Sequence, residues 1–155
     1  KEKEKSWYYF FKSYEFDSSR QEAFFELIKK CRATNKFEMG YGLWKMLKPC
    51  LNQDKQHKLF IYNPIYEHSL YSEILIILYY LKKFDEANEI LKKILIANIT
   101  DPLYIAMTNN NIKHFIPHIK KTDWEFYGKF KRYCKKFTVP EDLQKDIDKL
   151  FIDNL

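Results

Sequence analysis

Lys36-Phe37-Glu38-Met39-Gly40-Tyr41-Gly42-Leu43-Trp44-Lys45-Met46-Leu47 returns 47 residues later as Lys83-Phe84-Asp85-Glu86-Ala87-Asn88-Glu89-Ile90-Leu91-Lys92-Lys93-Ile94. Each copy has an aromatic (Phe37, Phe84), an acid beside it, and a small residue three positions on (Gly40, Ala87). A large apolar residue follows four later (Trp44, Leu91). Such self-similarity marks stacked helical pairs, because one pair cannot bury its apolar face alone. Units of this kind present surfaces and seldom carry chemistry of their own.

Composition points the same way. The hydrophobic fraction is 46% and the aromatic fraction 18%, while glycine and proline number only three and five. Many large side chains with few chain breakers predict long helices packed through aromatics; a strand-rich chain needs more turn glycines. A length of 155 residues suits one domain or a short array. The net charge of +6 is mildly basic. It names no partner, since lysine-, asparagine- and isoleucine-rich usage also follows from an AT-rich genome. Cys31, Cys50 and Cys134 form no CxxC pair, so neither a zinc nor a redox motif is implied. Three unpaired thiols suit a reducing compartment. Ile74–Leu81, the longest apolar run, is too short to span a bilayer. The expected location is therefore cytoplasmic. Because the chain opens on Lys1, it is expected to be a segment of a longer protein.

Outward from the repeat, Trp7, Phe10, Phe11 and Tyr14 predict a first amphipathic helix ending near Phe16. Ser19–Glu22 matches a capping box, opening a second helix striped by Phe24, Leu27, Ile28 and Cys31. Thr34-Asn35 breaks it. Gly40, Leu43, Trp44 and Leu47 stripe the third helix, which Pro49 stops. Residues 50–64 read as a long loop, with Leu59–Tyr62 as a short extended piece or plug. The fourth helix runs from about Ile65 to Lys82; its all-round apolar segment predicts burial on every side. Ala87, Ile90, Leu91 and Ile94 point inward on the fifth. Asp101-Pro102 starts the sixth, which Pro117 ends. Thr122–Glu125 reads as a second capping box, opening a seventh helix lined by Phe126, Phe130, Tyr133 and Phe137. Thr138–Glu141 opens an eighth, lined by Leu143, Ile147, Leu150 and Phe151. The expected fold is all-α: about eight helices, in antiparallel hairpins stacked as a short solenoid forming a single domain over 1–155. The repeats span about 19–48 and 66–97, and helices over about 122–152 cap the array.

Phe84-Asp85-Glu86-Ala87 with Leu91 and Ile94 resembles the second half of the tetratricopeptide repeat, and Phe37–Leu47 is a weaker copy. Asp17-Ser18-Ser19-Arg20-Gln21-Glu22-Ala23 is similar to the D-P-x-R-x-E-A opening of helical repeats that follow a glycosyltransferase catalytic domain in giant viruses and some bacteria. Leu59-Phe60, Ile65-Tyr66-Glu67, Glu73-Ile74, Tyr79-Tyr80, Lys83-Phe84, Ala87, and Asn110 followed by Phe115 keep the order of that tail. The resemblance covers roughly residues 8–116. It departs where Ser18 replaces the proline, and where Tyr62-Asn63 stands in place of an acidic residue. It implies a nucleotide-sugar transferase whose catalytic domain lies N-terminal to this chain, in host cytoplasm if viral. It assigns no catalytic residue here.

The residues offer little chemistry of their own. Metal-dependent sugar transfer uses Asp-x-Asp at a strand end. Asp146-Ile147-Asp148 is the literal match, but mid-helix its carboxylates stand about 200° apart, as on a solvated surface. His114 and His118 have zinc-compatible spacing, which Pro117 interrupts. His57 and His68 have no partner at motif spacing. Asn109-Asn110-Asn111 could grip a sugar or a peptide backbone, or mark a fraying helix end. Asn98-Ile99-Thr100 is a formal sequon without a secretion signal. No catalytic residue, metal site or cofactor is expected.

Two surfaces carry the functional expectation. The first is the exposed face of the leading helix in each pair, with Arg20, Lys29, Tyr66, Tyr79 and Asn110, which would bind a protein partner, a second copy or a neighbouring catalytic domain. The second is Lys129, Lys131, Arg132, Lys135 and Lys136, interleaved with aromatics, which would bind nucleic acid or another anionic surface. On a helix these bases fall opposite the aromatics, as on any amphipathic helix. The first surface is therefore preferred. A self-contained enzyme ranks last, because no acid–base pair stands on facing elements.

Overall fold

The computed structural model describes residues 2–17, 22–50, 68–97 and 99–152. Among them are eight α-helices and no strand: α1 (Glu2–Phe16), α2 (Glu22–Ala33), α3 (Phe37–Leu47), α4 (Leu70–Tyr80), α5 (Phe84–Ile96), α6 (Pro102–Phe115), α7 (Trp124–Lys136) and α8 (Glu141–Ile152). The all-α expectation and its eight helices hold. None of these helices is long and apolar enough to cross a membrane. The chain divides into two compact units, Lys1–Leu81 and Lys82–Leu155. The Ser19 capping box, the 50–64 loop with Leu59–Tyr62, His57 and Asn98 lie wholly or mainly outside the described residues, as does the start of the fourth helix.

In the first unit α2 packs on α3, α4 packs on both, and α1 lies against α2. The predicted stripes form this core: Phe24, Leu27, Ile28 and Cys31 are fully buried, as is Leu47, with Leu43 and Trp44 nearly so. Gly40 faces both α2 and α4. A Cβ there would lie 3.1 Å from Cys31 Cβ and 2.6 Å from Ile77 Cδ1, so any larger residue would make the buried Cys31 and Ile77 side chains shift. An Arg32–Glu73 ion pair ties α2 to α4. Two expectations need correction. Phe11 is exposed, because at i+4 from Trp7 it falls beside the stripe made by Trp7, Phe10 and Tyr14. Nor is α4 buried all round: Tyr79 and Tyr80 at its C-terminus face solvent, their hydroxyls compatible with water.

α2 ends in a Schellman turn. Asn35 adopts φ 54°, its N–H bonds the Arg32 carbonyl, and the Lys36 N–H bonds that of Cys31. Lys36 then takes φ −90°, ψ 58°, and Phe37 starts α3. Between α4 and α5 the torsions recur: Lys82 has φ 56°, Lys83 has φ −90°, ψ 61°, and Phe84 starts α5. The 47-residue repeat in sequence is thus a repeat in backbone conformation.

In the second unit α5 packs on α6 and α7, and α7 on α8. Ala87, Leu91, Ile94, Phe126, Phe130 and Ile147 are fully buried. Asp101 caps α6, its carboxylate accepting the Leu103 N–H at 2.8 Å, as expected. The cap of α7 is Asp123 rather than Thr122, with the Phe126 N–H donating to its carboxylate at 3.0 Å. Asp123 has φ −82°, ψ 69° and leads into Trp124. A third helix therefore opens on an aromatic behind the same kind of torsion, 40 residues after Phe84. Its different spacing hides it from a search at constant offset.

Candidate interaction surfaces

Each helix-opening aromatic meets a ring at the end of the element that follows. Phe37 lies flat on Tyr80, at the end of α4, with centroids 4.4 Å apart and planes 6° from parallel. Phe84 lies flat on His118, in the turn after α6, at 3.6 Å and 6°. Trp124 contacts Phe151, near the end of α8, at 5.5 Å but tilted by 56°. Phe37 and Phe84 thus share one packing rule, and Trp124 follows it loosely.

The residues assigned to a leading-helix surface are distributed as follows. Lys29 is exposed on α2, 3.7 Å from Glu26, with its ammonium over the Phe25 ring. Tyr79 stands edge-on to Tyr80, with centroids 6.0 Å apart. Asn110 lines a cleft of about 290 Å³ with Asn109, Lys113, Pro140, Asp142 and Leu143. Lys113 and Asp142 pair across it at 3.3 Å, and that hydrogen bond holds the Asp142 carboxyl below its ordinary range. Arg20 and Tyr66 lie outside the described residues. The fraying-end reading of Asn109–Asn111 is corrected: α6 continues to Phe115. Asn109 donates to the Thr138 carbonyl at 3.4 Å, linking α6 to the segment that leads into α8.

Two of the five bases in the basic stretch on α7 pair with carboxylates among the described residues. Lys129 pairs with Glu125 at 2.6 Å. Lys131 reaches both oxygens of Asp148 at 3.1 Å, and the Tyr127 hydroxyl donates to the same carboxylate at 3.0 Å. Its own hydrogen bond to Asp148 raises Lys131, while burial, reinforced by Asp148, raises Tyr127. Asp148 is thus a tether between α7 and α8 rather than plain solvated surface. The Lys136 ammonium sits 5.1 Å from the Phe137 ring centroid. Arg132 and Lys135 are exposed, with no carboxylate partner among the described residues. Two open cations make a small electrostatic footprint.

Sequence periodicity did not reveal the charged centre of the second unit. Lys92 is buried on α5, with its ammonium 2.7 Å from Glu89, 3.0 Å from Asp123 and 3.3 Å from Glu125. Burial alone would lower Lys92, but hydrogen bonds to Glu89 and Asp123, the Asp123 charge and the bond to Glu125 together raise it above an ordinary lysine. Asp123 and Glu125 also stand at the positive end of the α7 dipole. The group therefore locks α5 to the start of α7. Lys92 falls one position beyond Leu91 of the apolar stripe, and only the carboxylates after Thr122 hint at its partners. Asn88 is buried too, donating to the His118 carbonyl at 3.2 Å.

Among the described residues no group of three or more His, Cys, Asp or Glu side chains could hold a metal ion. His114 is exposed and His118 is stacked on Phe84. Cys31 and Cys134 are free thiols, raised above the ordinary value by burial. Compared with protein-family models, curated proteins and solved structures, the chain matches none.

Proposed function

We propose that this chain is a non-catalytic helical-repeat module that presents a surface to a protein: a partner, a second copy of itself, or a glycosyltransferase catalytic domain in the same polypeptide. The observation that carries the reading is the recurrence of one backbone turn and one flat ring stack at Phe37 and Phe84. A sequence that preserves the joint between elements while varying the outward residues is specified for stacking and display. The candidate residues are exposed on the leading helices of each unit, Lys29 and Tyr79 in the first and Asn110 in the second, with the Asn109–Lys113 cleft beside the last.

The glycosyltransferase link stands on the sequence resemblance, and an intracellular location goes with it. The test is to incubate the purified chain with a panel of nucleotide sugars and acceptors. A folded chain without transfer is the expected result. Transfer by the chain alone contradicts the reading.

Nucleic-acid or anionic-surface binding through α7 is the second reading. It keeps only the open pair Arg132 and Lys135 in its favour, since Lys129 and Lys131 are already paired with carboxylates.

A further inference from the structure

The helix α1 has two unlike faces. Trp7, Phe10 and Tyr14 turn toward α2, where Tyr14 meets Phe24 edge-on at 4.5 Å and the Lys30 ammonium lies over Trp7. On the opposite side Tyr8, Lys12 and Phe16 follow one another at i, i+4, i+8, with Tyr9 alongside. This outer stripe is aromatic and uncovered: Tyr8 is 59% exposed, Tyr9 66% and Phe16 94%. By contrast α8 turns Glu141, Asp142, Lys145, Asp146 and Lys149 outward, the face of a helix that needs no cover.

We propose that the outer face of α1 is the contact between two copies of this chain, paired antiparallel across a two-fold axis near Lys12. The inference rests on the interaction-module reading, and names one surface and partner for it. Three observations select a second copy. The stripe is centred on Lys12, with Tyr8 and Tyr9 about a turn before it and Phe16 a turn after, so an antiparallel two-fold near Lys12 sets Phe16 of each copy against the tyrosines of the other. The centre is self-neutralising: Lys12 pairs with Glu15 at 2.6 Å within one copy. Two such pairs meeting head to tail form a neutral quartet in which each lysine can reach either glutamate. The area is also of the right order. Three aromatics this open leave about 400 Å² per copy, so two copies with their flanking side chains approach the ~1,000 Å² at which specific interfaces begin. Such a dimer is weak, forming at micromolar concentration or above.

Sedimentation of the full chain over a wide concentration range is the test, with Phe16→Ser, Lys12→Glu and Glu15→Lys as variants. The expected result is a monomer–dimer equilibrium. Phe16→Ser weakens it by about a hundredfold, since the residue enters the interface twice. Lys12→Glu and Glu15→Lys each weaken it through like charges, and an equimolar mixture of those two variants restores it as a heterodimer. All three side chains face outward, so helical content stays unchanged. A chain monomeric at every concentration, a dimer indifferent to these variants, open-ended growth, or an α1 face protected only by a different protein would each overturn the proposal. None of those outcomes bears on whether the chain transfers sugars, so the two readings can fail separately.

Discussion

Phe84 lies flat against His118, their ring centroids 3.6 Å apart and their planes 6° from parallel, as Phe37 lies against Tyr80. Both phenylalanines open a helix and both are half-buried. Truncating either to alanine removes a stacked pair and part of a buried ring, an expected loss of about 2 kcal/mol. The two losses are expected to match within about 1 kcal/mol. Chemical denaturation of Phe37→Ala and Phe84→Ala checks this, each variant being read on the transition of its own unit.

Glycines two positions apart on α3 should respond with opposite sign. Gly42→Ala has open space around it, so the gain in helix propensity stabilises by about 1 kcal/mol. Gly40→Ala gains the same propensity but drives a methyl against Cys31 and Ile77. Overpacking of this kind costs ~1–3 kcal/mol, for a net loss of about 1 kcal/mol. Thermal melts of the two variants measure the difference.

The left-handed residues give a ranked pair. Lys82 and Asn35 hold φ 56° and 54°. A side chain other than Asn or Asp there costs about 1 kcal/mol. Lys82→Gly is therefore expected to stabilise by roughly that amount, and Asn35→Gly by less, because asparagine tolerates the region. Equal gains, or a loss at Lys82, would show that the turn is not as described.

Alkaline pH should weaken the second unit. Burial pushes Tyr133 up to about 12, although Thr108 pulls slightly the other way. An unfolded tyrosine ionises near 10. The folded value is raised, so this contribution is intact below about pH 10 and is lost as pH rises toward 12. Its full size is about 3 kcal/mol. Lys92 is also raised and acts in the same direction at higher pH. Stability measured at pH 9 and pH 11 should fall, and Tyr133→Phe should fall less.

The open cations of α7 set a salt-dependence test. Retention on heparin is expected to be weak. Changing Lys131 alone to glutamate should alter it little, because Lys131 already faces Asp148, and changing Lys131, Arg132 and Lys135 together then has little retention to remove. Strong retention abolished by that triple change would favour the anion-binding reading.

The apolar framework was legible because each stripe keeps the helical period: Phe24–Cys31, Gly40–Leu47 and Ala87–Ile94 are buried as their spacing requires. Phe11 and Tyr80 were misread because apolar character alone does not say which side of a stripe a residue takes. The charged cross-links were not legible. Lys92 with Asp123, Lys131 with Asp148, and Arg32 with Glu73 join residues far apart in sequence, so no local period encodes them. The third aromatic joint at Trp124 escaped because its spacing is 40 rather than 47. Of the candidate surface, Lys29 and Asn110 were placed by helical phase alone. The cleft beside Asn110 depends on α8, whose approach no spacing reveals.

Proton–proton nuclear Overhauser contacts, recorded on one labelled sample of the chain, test the repeat most directly. Ring contacts are expected between Phe37 and Tyr80 and between Phe84 and His118, with couplings that report positive φ at both Asn35 and Lys82. One ring pair present without the other, or a negative φ at either turn residue, would contradict the shared rule from which the module reading follows.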